Sequence, residues 1–122
     1  MTRLKDIKKK TITVGDKVAV NCRTNYGGNF NGVRGVVFGT VKKINNLTME
    51  VLLIDGKYIQ RVKPRSVLKV SRFADNPRGR KVLVPLKTNL VEATLSGTTP
   101  QSYNVTYKGL NLQYRKHKVI KL

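Results

Sequence analysis

Apolar residues alternate with polar ones along most of this chain. Val18 and Val20 show the alternation near the start, and Leu110, Leu112 and Tyr114 show it near the end. A period of two is typical of β-strands that bury one face. No apolar pattern with helical spacing extends beyond a turn or two, so the sequence predicts an all-β fold.

The alternating runs and the residues between them predict the individual elements. Strands are expected within residues 11–20, 36–44, 49–54, 58–62, 81–88, 90–95, 103–107 and 110–114. Asp55-Gly56 and Lys108-Gly109 separate neighbouring runs and predict hairpin turns. Residues 64–68 are typical of the short helical turn that closes many small barrels before their last strand.

A nine-residue stretch occurs twice in the chain. Residues 17–25 read Lys-Val-Ala-Val-Asn-Cys-Arg-Thr-Asn, and residues 81–89 read Lys-Val-Leu-Val-Pro-Leu-Lys-Thr-Asn. Thr40 and Thr94 follow the two copies, and each half closes on an alternating segment. Self-similarity of this kind indicates repeated structure. Each half is small for a core of its own, so we predict two tandem β units that pack together.

The repeat divides the chain into four predicted parts. They are a basic arm at 1–10, a first unit at 11–70, a basic linker at 71–80 and a second unit at 81–122. The first unit contains a glycine-rich stretch at 26–35, which predicts a loop. The second copy is expected to replace this loop with residues 90–93.

The first repeat resembles the small SH3-like barrels of the KOW and Tudor kind. The residues that carry the resemblance are Gly15-Asp16-Lys17-Val18-Ala19-Val20, Gly39-Thr40-Val41-Lys42-Lys43-Ile44 and the closing segment Ser66-Val67-Leu68-Lys69-Val70. In the second copy Arg80 replaces the Asp, and Glu92-Ala93 stands where Gly39 would be. The resemblance implies a tandem SH3-like barrel. Barrels of this kind are similar to parts of ribosomal proteins and transcription elongation factors, and small basic bacteriophage proteins are similar in size and charge.

The charge of the chain is strongly positive. It has 25 Lys and Arg against 6 Asp and Glu, a formal net charge of +19. Residues 1–70 hold 15 basic and 4 acidic side chains, and residues 71–122 hold 10 and 2. Because both halves are basic, the charge belongs to the fold and indicates a polyanionic partner. Nucleic acid is the commonest such partner, and an anionic membrane surface is the rival. No apolar run approaches the ~20 residues of a membrane span.

The candidate catalytic residues are sparse. His117 is the single histidine and lies in a basic stretch, and Cys22 is the single cysteine in an alternating run. Neither has the clustered partners of a zinc site or an activated nucleophile. We expect no enzyme activity, no metal and no cofactor. The lone cysteine and the absence of a signal-peptide core at the N-terminus lead us to expect a cytoplasmic protein.

Basic residues that follow the predicted hairpins, together with others near them, are the candidate nucleic-acid contacts. They are Lys42, Lys43, Arg61, Lys63, Arg65, Lys69, Arg72, Arg78, Arg80, Arg115, Lys116, Lys118 and Lys121. In the glycine-rich loop, Tyr26 and Phe30 are candidate stacking platforms and Arg34 a phosphate contact. The alternative is that these aromatic side chains pack back onto the barrel.

The sequence therefore favours a protein that binds duplex DNA through phosphate contacts that are largely independent of base sequence. RNA binding or association with ribosomes is the first alternative. A structural module that docks an acidic protein is the second. Few aromatic residues outside the glycine-rich loop are expected to be exposed, which disfavours stacking on single strands.

Overall fold

The computed structural model describes residues 4–23, 34–54, 56, 59–76 and 78–122, and it describes residues 23 and 34 by their backbone alone. Over these ranges the chain forms ten β-strands and no α-helix. The strands make two antiparallel sheets of five strands each. The predicted all-β class and the two small packed β units are confirmed.

The first sheet has the strand order β4-β3-β2-β1-β5. Its elements are β1 (Lys17–Arg23), β2 (Arg34–Ile44), β3 (Met49–Leu53), β4 (Ile59–Val62), a 3₁₀ turn (Pro64–Ser66) and β5 (Val67–Lys69). Pro64 opens the 3₁₀ turn, where its missing N–H costs no hydrogen bond. The helical turn predicted before the last strand is therefore confirmed.

The second sheet repeats that order as β9-β8-β7-β6-β10. Its elements are β6 (Lys81–Leu86), β7 (Asn89–Thr98), β8 (Ser102–Tyr107), β9 (Leu110–Arg115), a 3₁₀ turn (Lys116–Lys118) and β10 (Ile120–Lys121). Lys108 and Gly109 have φ values of 48° and 80°, as the predicted two-residue hairpin turn requires.

The register of the strands defines which positions of the two sheets are equivalent. Thr40 pairs with Lys17 and Thr94 pairs with Lys81, so the repeat seen in the sequence is also a structural repeat. A β-bulge interrupts β2 between Val41 and Lys43, and a second one interrupts β7 at the same position. Bulges sharpen the bend of a strand, which helps each sheet to curl around its own apolar face.

Each sheet encloses a core on its inner face. In the first sheet Val18, Val20, Val51 and Val67 are fully buried there. In the second sheet Val82, Val84 and Val105 take the equivalent role. The alternation of the sequence is thus the alternation between an inner and an outer face.

A third core lies between the two sheets, and we call it the junction core. Its buried members are three equivalent pairs, Ala19 with Leu83, Val36 with Leu90, and Leu68 with Ile120. The same positions of both sheets therefore face each other, as in the interface of a symmetric dimer. Burial of a leucine side chain stabilises by about 1.5–3 kcal/mol, so this core ties the halves together.

Polar contacts close the edges of the junction. The Asn21 side-chain amide donates hydrogen bonds to the carbonyl oxygens of Lys87 and Asn89, at 3.1 and 2.7 Å. The Ser66 hydroxyl donates to the Thr88 carbonyl oxygen. Both contacts join the first sheet to the turn between β6 and β7.

The predicted N-terminal arm is packed against the first sheet from residue 4 onward. Leu4 and Ile12 belong to the core of that sheet, at 7% and 2% exposure. The buried Asp6 carboxylate accepts hydrogen bonds from the backbone N–H groups of Lys8, Lys10 and Lys69, at 2.8, 2.9 and 2.8 Å. Residues 4–12 therefore form a lid over the first core, and we call them the N-terminal lid.

One prediction about the second copy is wrong. Residues 90–93 do not replace the glycine-rich loop, because they lie inside β7 and pair with β6. The connection is the two-residue turn Lys87–Thr88, closed by the pair of Leu86 with Asn89. Lys87 has a φ of 55°, which a tight turn can require even without glycine.

Candidate nucleic-acid interface

A groove of about 520 Å³ runs along the junction of the two sheets. Apolar side chains from both sheets line it, among them Leu68 and Ile120. Its cationic side chains are Lys8, Lys10, Lys69, Arg72 and Lys81. Glu92 is the acidic residue among the described lining residues, and its carboxylate lies 3.4 Å from the Lys8 ammonium. We call this the junction groove.

Exposed cations surround the groove because three segments of the chain meet there. The N-terminal lid supplies Lys8 and Lys10, the end of β5 and the linker supply Lys69 and Arg72, and β6 begins with Lys81. All of these side chains are exposed. Glu92 and Asp16 lie 3.4 Å from Lys8 and Lys69, and the other cations that line the groove are Lys10, Arg72 and Lys81. A local excess of positive charge attracts anions.

Two phenylalanines stand beside the junction groove. Phe38 of β2 lines it, and the Phe73 ring of the linker lies 5.6 Å from the Phe38 ring between centroids. The Lys17 ammonium lies 5.7 Å from the Phe73 centroid. Both rings are partly buried, so they fix the linker against the first sheet and hold Lys17 close to the groove.

Two side grooves flank the junction at equivalent positions. The first, about 650 Å³, lies between the first 3₁₀ turn and β7 and is lined by Lys5, Lys9 and Arg65. The second, about 420 Å³, lies between the second 3₁₀ turn and β2 and contains Lys116 and His117. Arg65 and His117 occupy equivalent places, three residues before Leu68 and Ile120, which are the equivalent partners of Ala19 and Leu83.

The structure brings some of the predicted site residues together and separates others. Lys69 and Arg72 share the junction groove, Arg65 lines the first side groove and Lys116 the second. The predicted residues that line none of these grooves are Lys42, Lys43, Arg61, Lys63, Arg78, Arg80, Arg115, Lys118 and Lys121. The sequence prediction did not include Lys5, Lys8, Lys9, Lys10 and Lys81, which lie in the N-terminal lid and at the start of β6.

The residues outside the grooves have various surroundings. Lys43 and Arg61 both lie opposite Glu50 in the register of the first sheet, so an acidic side chain stands between them. The Lys118 stem covers Gly35, where an added Cβ would lie 3.1 Å from the lysine Cδ. Lys63, Arg78, Arg80 and Arg115 are exposed.

The two basic clusters that follow the hairpins match each other only in part. Lys63 and Arg115 are equivalent, and so are Lys69 and Lys121. Arg61 corresponds to Gln113, which is uncharged. Tyr26 and Phe30 lie outside the described residues, and so does the side chain of Arg34.

The second sheet carries partly exposed tyrosines that the sequence prediction overlooked. Tyr103 of β8 and Tyr114 of β9 lie directly opposite each other, and Tyr107 follows on the same face. The ammonium groups of Lys116 and Lys121 lie 5.3 and 5.5 Å from the Tyr103 ring centroid. The described aromatic side chains outside the loop are all partly buried, as the sequence led us to expect, but these tyrosines keep part of their surface accessible.

Three groups near these surfaces have shifted pKa values. Burial would raise the pKa of Asp16, but hydrogen bonds from Thr13 and Lys69 lower it below its ordinary value. Partial burial of the Asp75 carboxyl raises its pKa, and the nearby Lys121 offsets this only in part. Burial alone raises the pKa of Tyr114.

Within the described residues, no three His, Cys, Asp or Glu side chains are grouped so that they could hold a metal ion. The described part of the chain also contains no helix long and apolar enough to cross a membrane. No protein-family model matches the chain, and no curated protein matches it significantly.

Proposed function

We propose that this protein binds nucleic acid, and that duplex DNA held through its phosphates is the preferred ligand. The observation that carries the proposal is the junction groove, where Lys8, Lys10, Lys69, Arg72 and Lys81 surround one apolar floor with a single carboxylate among the described lining residues. Cations at this density attract phosphates without distinguishing base sequence.

The side grooves support an interface that is longer than the junction groove alone. Lys5, Lys9 and Arg65 extend the positive surface on one side, and on the other side Lys116 lines a groove that also contains Asp75. A phosphate backbone that follows the junction would meet both sheets. The second contact is then intramolecular, which raises the overall affinity.

Kinship with the KOW and Tudor barrels is part of the same proposal. Its support is the position of the motif residues, with Gly15-Asp16 in the turn before β1, Gly39 inside β2 and Ser66 at the end of the 3₁₀ turn. RNA binding and docking of an acidic protein are the competing functions, and the experiment below separates them.

The test compares labelled duplex DNA, structured RNA and an acidic protein domain at several salt concentrations by fluorescence anisotropy. We expect the tightest binding to duplex DNA, with log K falling by about 0.9 per phosphate contact for each unit of log salt. Tighter binding of RNA than of duplex DNA would show that RNA is the preferred ligand. Tightest binding of the acidic domain, or an affinity that salt leaves unchanged, would contradict the proposal.

Two triple variants locate the interface. Lys10→Gln, Arg72→Gln and Lys81→Gln remove three charges from the junction groove, and Lys42→Gln, Lys43→Gln and Arg61→Gln remove the same number from exposed positions outside it. The groove variant should lower the salt slope by about 2.7, as three lost contacts require, and the matched variant by much less. If both variants lower the salt slope equally, binding depends on the overall charge of the protein and not on the junction groove.

A further inference from the structure

The inner face of the second sheet is incompletely covered. Tyr103, Val105 and Tyr107 alternate along this face of β8, and Leu112 and Tyr114 lie opposite them on β9. Val105 is fully buried, whereas the three tyrosines pack on the core and remain partly exposed. We call Tyr103, Tyr107 and Tyr114 the tyrosine face.

The equivalent positions of the first sheet are closed. Met49 and Val62 correspond to Tyr103 and Tyr114, and they are 0% and 6% exposed. The N-terminal lid closes that core with Leu4 and Ile12. Among the described residues of the linker, none belongs to the second core, so the tyrosine rings form its outer wall instead.

Cations lie directly on the tyrosine face. The Lys116 and Lys121 ammonium groups are both within 5.5 Å of the Tyr103 ring centroid, and Lys108 is 5.5 Å from the Tyr107 centroid. Exposed Arg115 follows Tyr114 at the end of β9. Aromatic rings with cations around them combine the two features by which proteins hold a single strand, a stacking platform for bases and charges for phosphates.

We propose that the tyrosine face binds single-stranded nucleic acid. Bases stack on Tyr103 and Tyr114, and the Lys116 and Lys121 ammonium groups move from the Tyr103 ring to the neighbouring phosphates. Charge complementarity selects an anionic strand, and the ring surfaces favour one that carries bases. The inference rests on the proposed function and adds a second kind of ligand site, which lies outside the junction groove and shares Lys116 with the second side groove.

The binding test uses a labelled oligothymidylate of 15 nucleotides and a labelled DNA duplex of equal length, and each is titrated with the full chain. The double variant Tyr103→Leu, Tyr114→Leu removes the rings and keeps an apolar wall. Tyr103→Phe, Tyr114→Phe keeps the rings and is the matched control. The leucine variant should weaken binding of oligothymidylate at least about tenfold, the loss expected for one stacked base, and leave duplex binding within about twofold. The phenylalanine variant should bind both ligands as the natural chain does.

The outcomes separate this inference from the proposed function. If the natural chain binds duplex but not oligothymidylate, or if the leucine variant binds oligothymidylate unchanged, the tyrosine face is not a single-strand site. If the chain binds neither ligand, both proposals fail. If it binds oligothymidylate through the tyrosines but no duplex, the tyrosine face stands and the preference for duplex DNA falls.

A second measurement needs no variant and therefore does not depend on the folding of one. The natural chain is irradiated with an oligonucleotide that carries 5-iodouracil, and the adducts are located by mass spectrometry. Adducts on Tyr103 or Tyr114 are expected. Adducts confined to Phe38 and Phe73 beside the junction groove would overturn the assignment.

Discussion

The two sheets share strand order, bulge position and a 3₁₀ turn before the last strand, yet they close their cores differently. In the first sheet the N-terminal lid adds Leu4 and Ile12 to the core, and Met49 and Val62 of the same core are buried. In the second sheet Tyr103 and Tyr114 occupy those positions and stay partly exposed. A repeated architecture has therefore produced one sealed unit and one unit with an accessible aromatic face.

The shared junction core explains why the second sheet tolerates this opening. Leu83, Leu90 and Ile120 turn away from the tyrosine face and are buried against the first sheet. Strand β6 is thus buried on both sides, like β1. The second sheet, whose core is open at the tyrosine face, is therefore stabilised by its packing on the first sheet. Variants in the junction core and in the N-terminal lid test this dependence.

The largest expected effect is that of a charge in the junction core. Leu83→Asp places a carboxylate at a fully buried position between the sheets. The loss should exceed about 4 kcal/mol, because an unpaired buried charge adds to the lost apolar contact. Calorimetry should show that both sheets lose their cooperative transition together. A variant in which one sheet still melts cooperatively would show that the sheets are independent, and Leu47→Asp, at a 73% exposed residue, is the control.

Removal of the anchor of the N-terminal lid should have the next largest effect. Asp6→Ala leaves three backbone N–H groups, those of Lys8, Lys10 and Lys69, without their acceptor. We expect a loss of about 2–4 kcal/mol in the free energy of unfolding, measured in urea. The exchange rates of backbone amide hydrogens should rise in the first core around Val18 and remain unchanged in the second core at Val105. Equal acceleration in both cores would mean that the lid does not belong to the first sheet alone.

Much of this architecture could be predicted from the sequence, because it depends on local residue patterns. The alternating runs, the repeat that starts at Lys17 and Lys81, the turn Lys108–Gly109 and the 3₁₀ turn at Pro64 were all expected, and each depends on residues close together in the chain. The turn at Lys87–Thr88 was misplaced, since Lys87 adopts a positive φ without the glycine that usually marks such a turn.

The candidate site was harder to predict, because it depends on the packing of one sheet on the other. Lys8 and Lys10 are distant in sequence from Lys81, and the three line one groove only because the two sheets pack together. Tyr103 is partly exposed although the alternation alone would have buried it, and the core on which it packs includes no residue of the N-terminal lid. A comparison of Met49 with Tyr103 in the aligned repeats could have provided a signal, since a larger aromatic residue replaces a core side chain.

A smaller effect should come from exchanging the residues at one equivalent position in β2 and β7. A Cβ added to Gly39 would lie 2.5 Å from Val51 Cγ1 and 2.8 Å from the Leu52 carbonyl oxygen. Gly39→Ala should therefore cost about 1–3 kcal/mol through overpacking. Ala93 already holds that position in the second sheet, and Ala93→Gly should cost about 1 kcal/mol or less through chain entropy. Equal costs in urea unfolding would show that the two bulged strands pack alike.

The smallest expected effects concern two carboxyl groups whose pKa values shift in opposite directions. The lowered pKa of Asp16 means that the unfolded chain binds its proton more tightly, so its contribution to stability is present above about pH 3.8 and is lost as the pH falls through the folded value. The raised pKa of Asp75 means that the folded chain binds the proton more tightly. Stability therefore falls as the pH rises from 3.8 through the folded value.

Urea unfolding between pH 3 and pH 6 separates the two contributions. Asp16→Asn should remove part of the loss of stability in acid, because the amide does not titrate and no longer pairs with the Lys69 ammonium, which lies 3.4 Å from the Asp16 carboxylate. Asp75→Asn should make the chain slightly more stable at neutral pH and unchanged in acid, because the amide avoids the desolvation of a carboxylate, which the attraction of Lys121 offsets only in part. If both variants shift the profile in the same direction, the two carboxyls have similar environments, and the contrast between the first sheet and the linker to the second does not extend to their electrostatics.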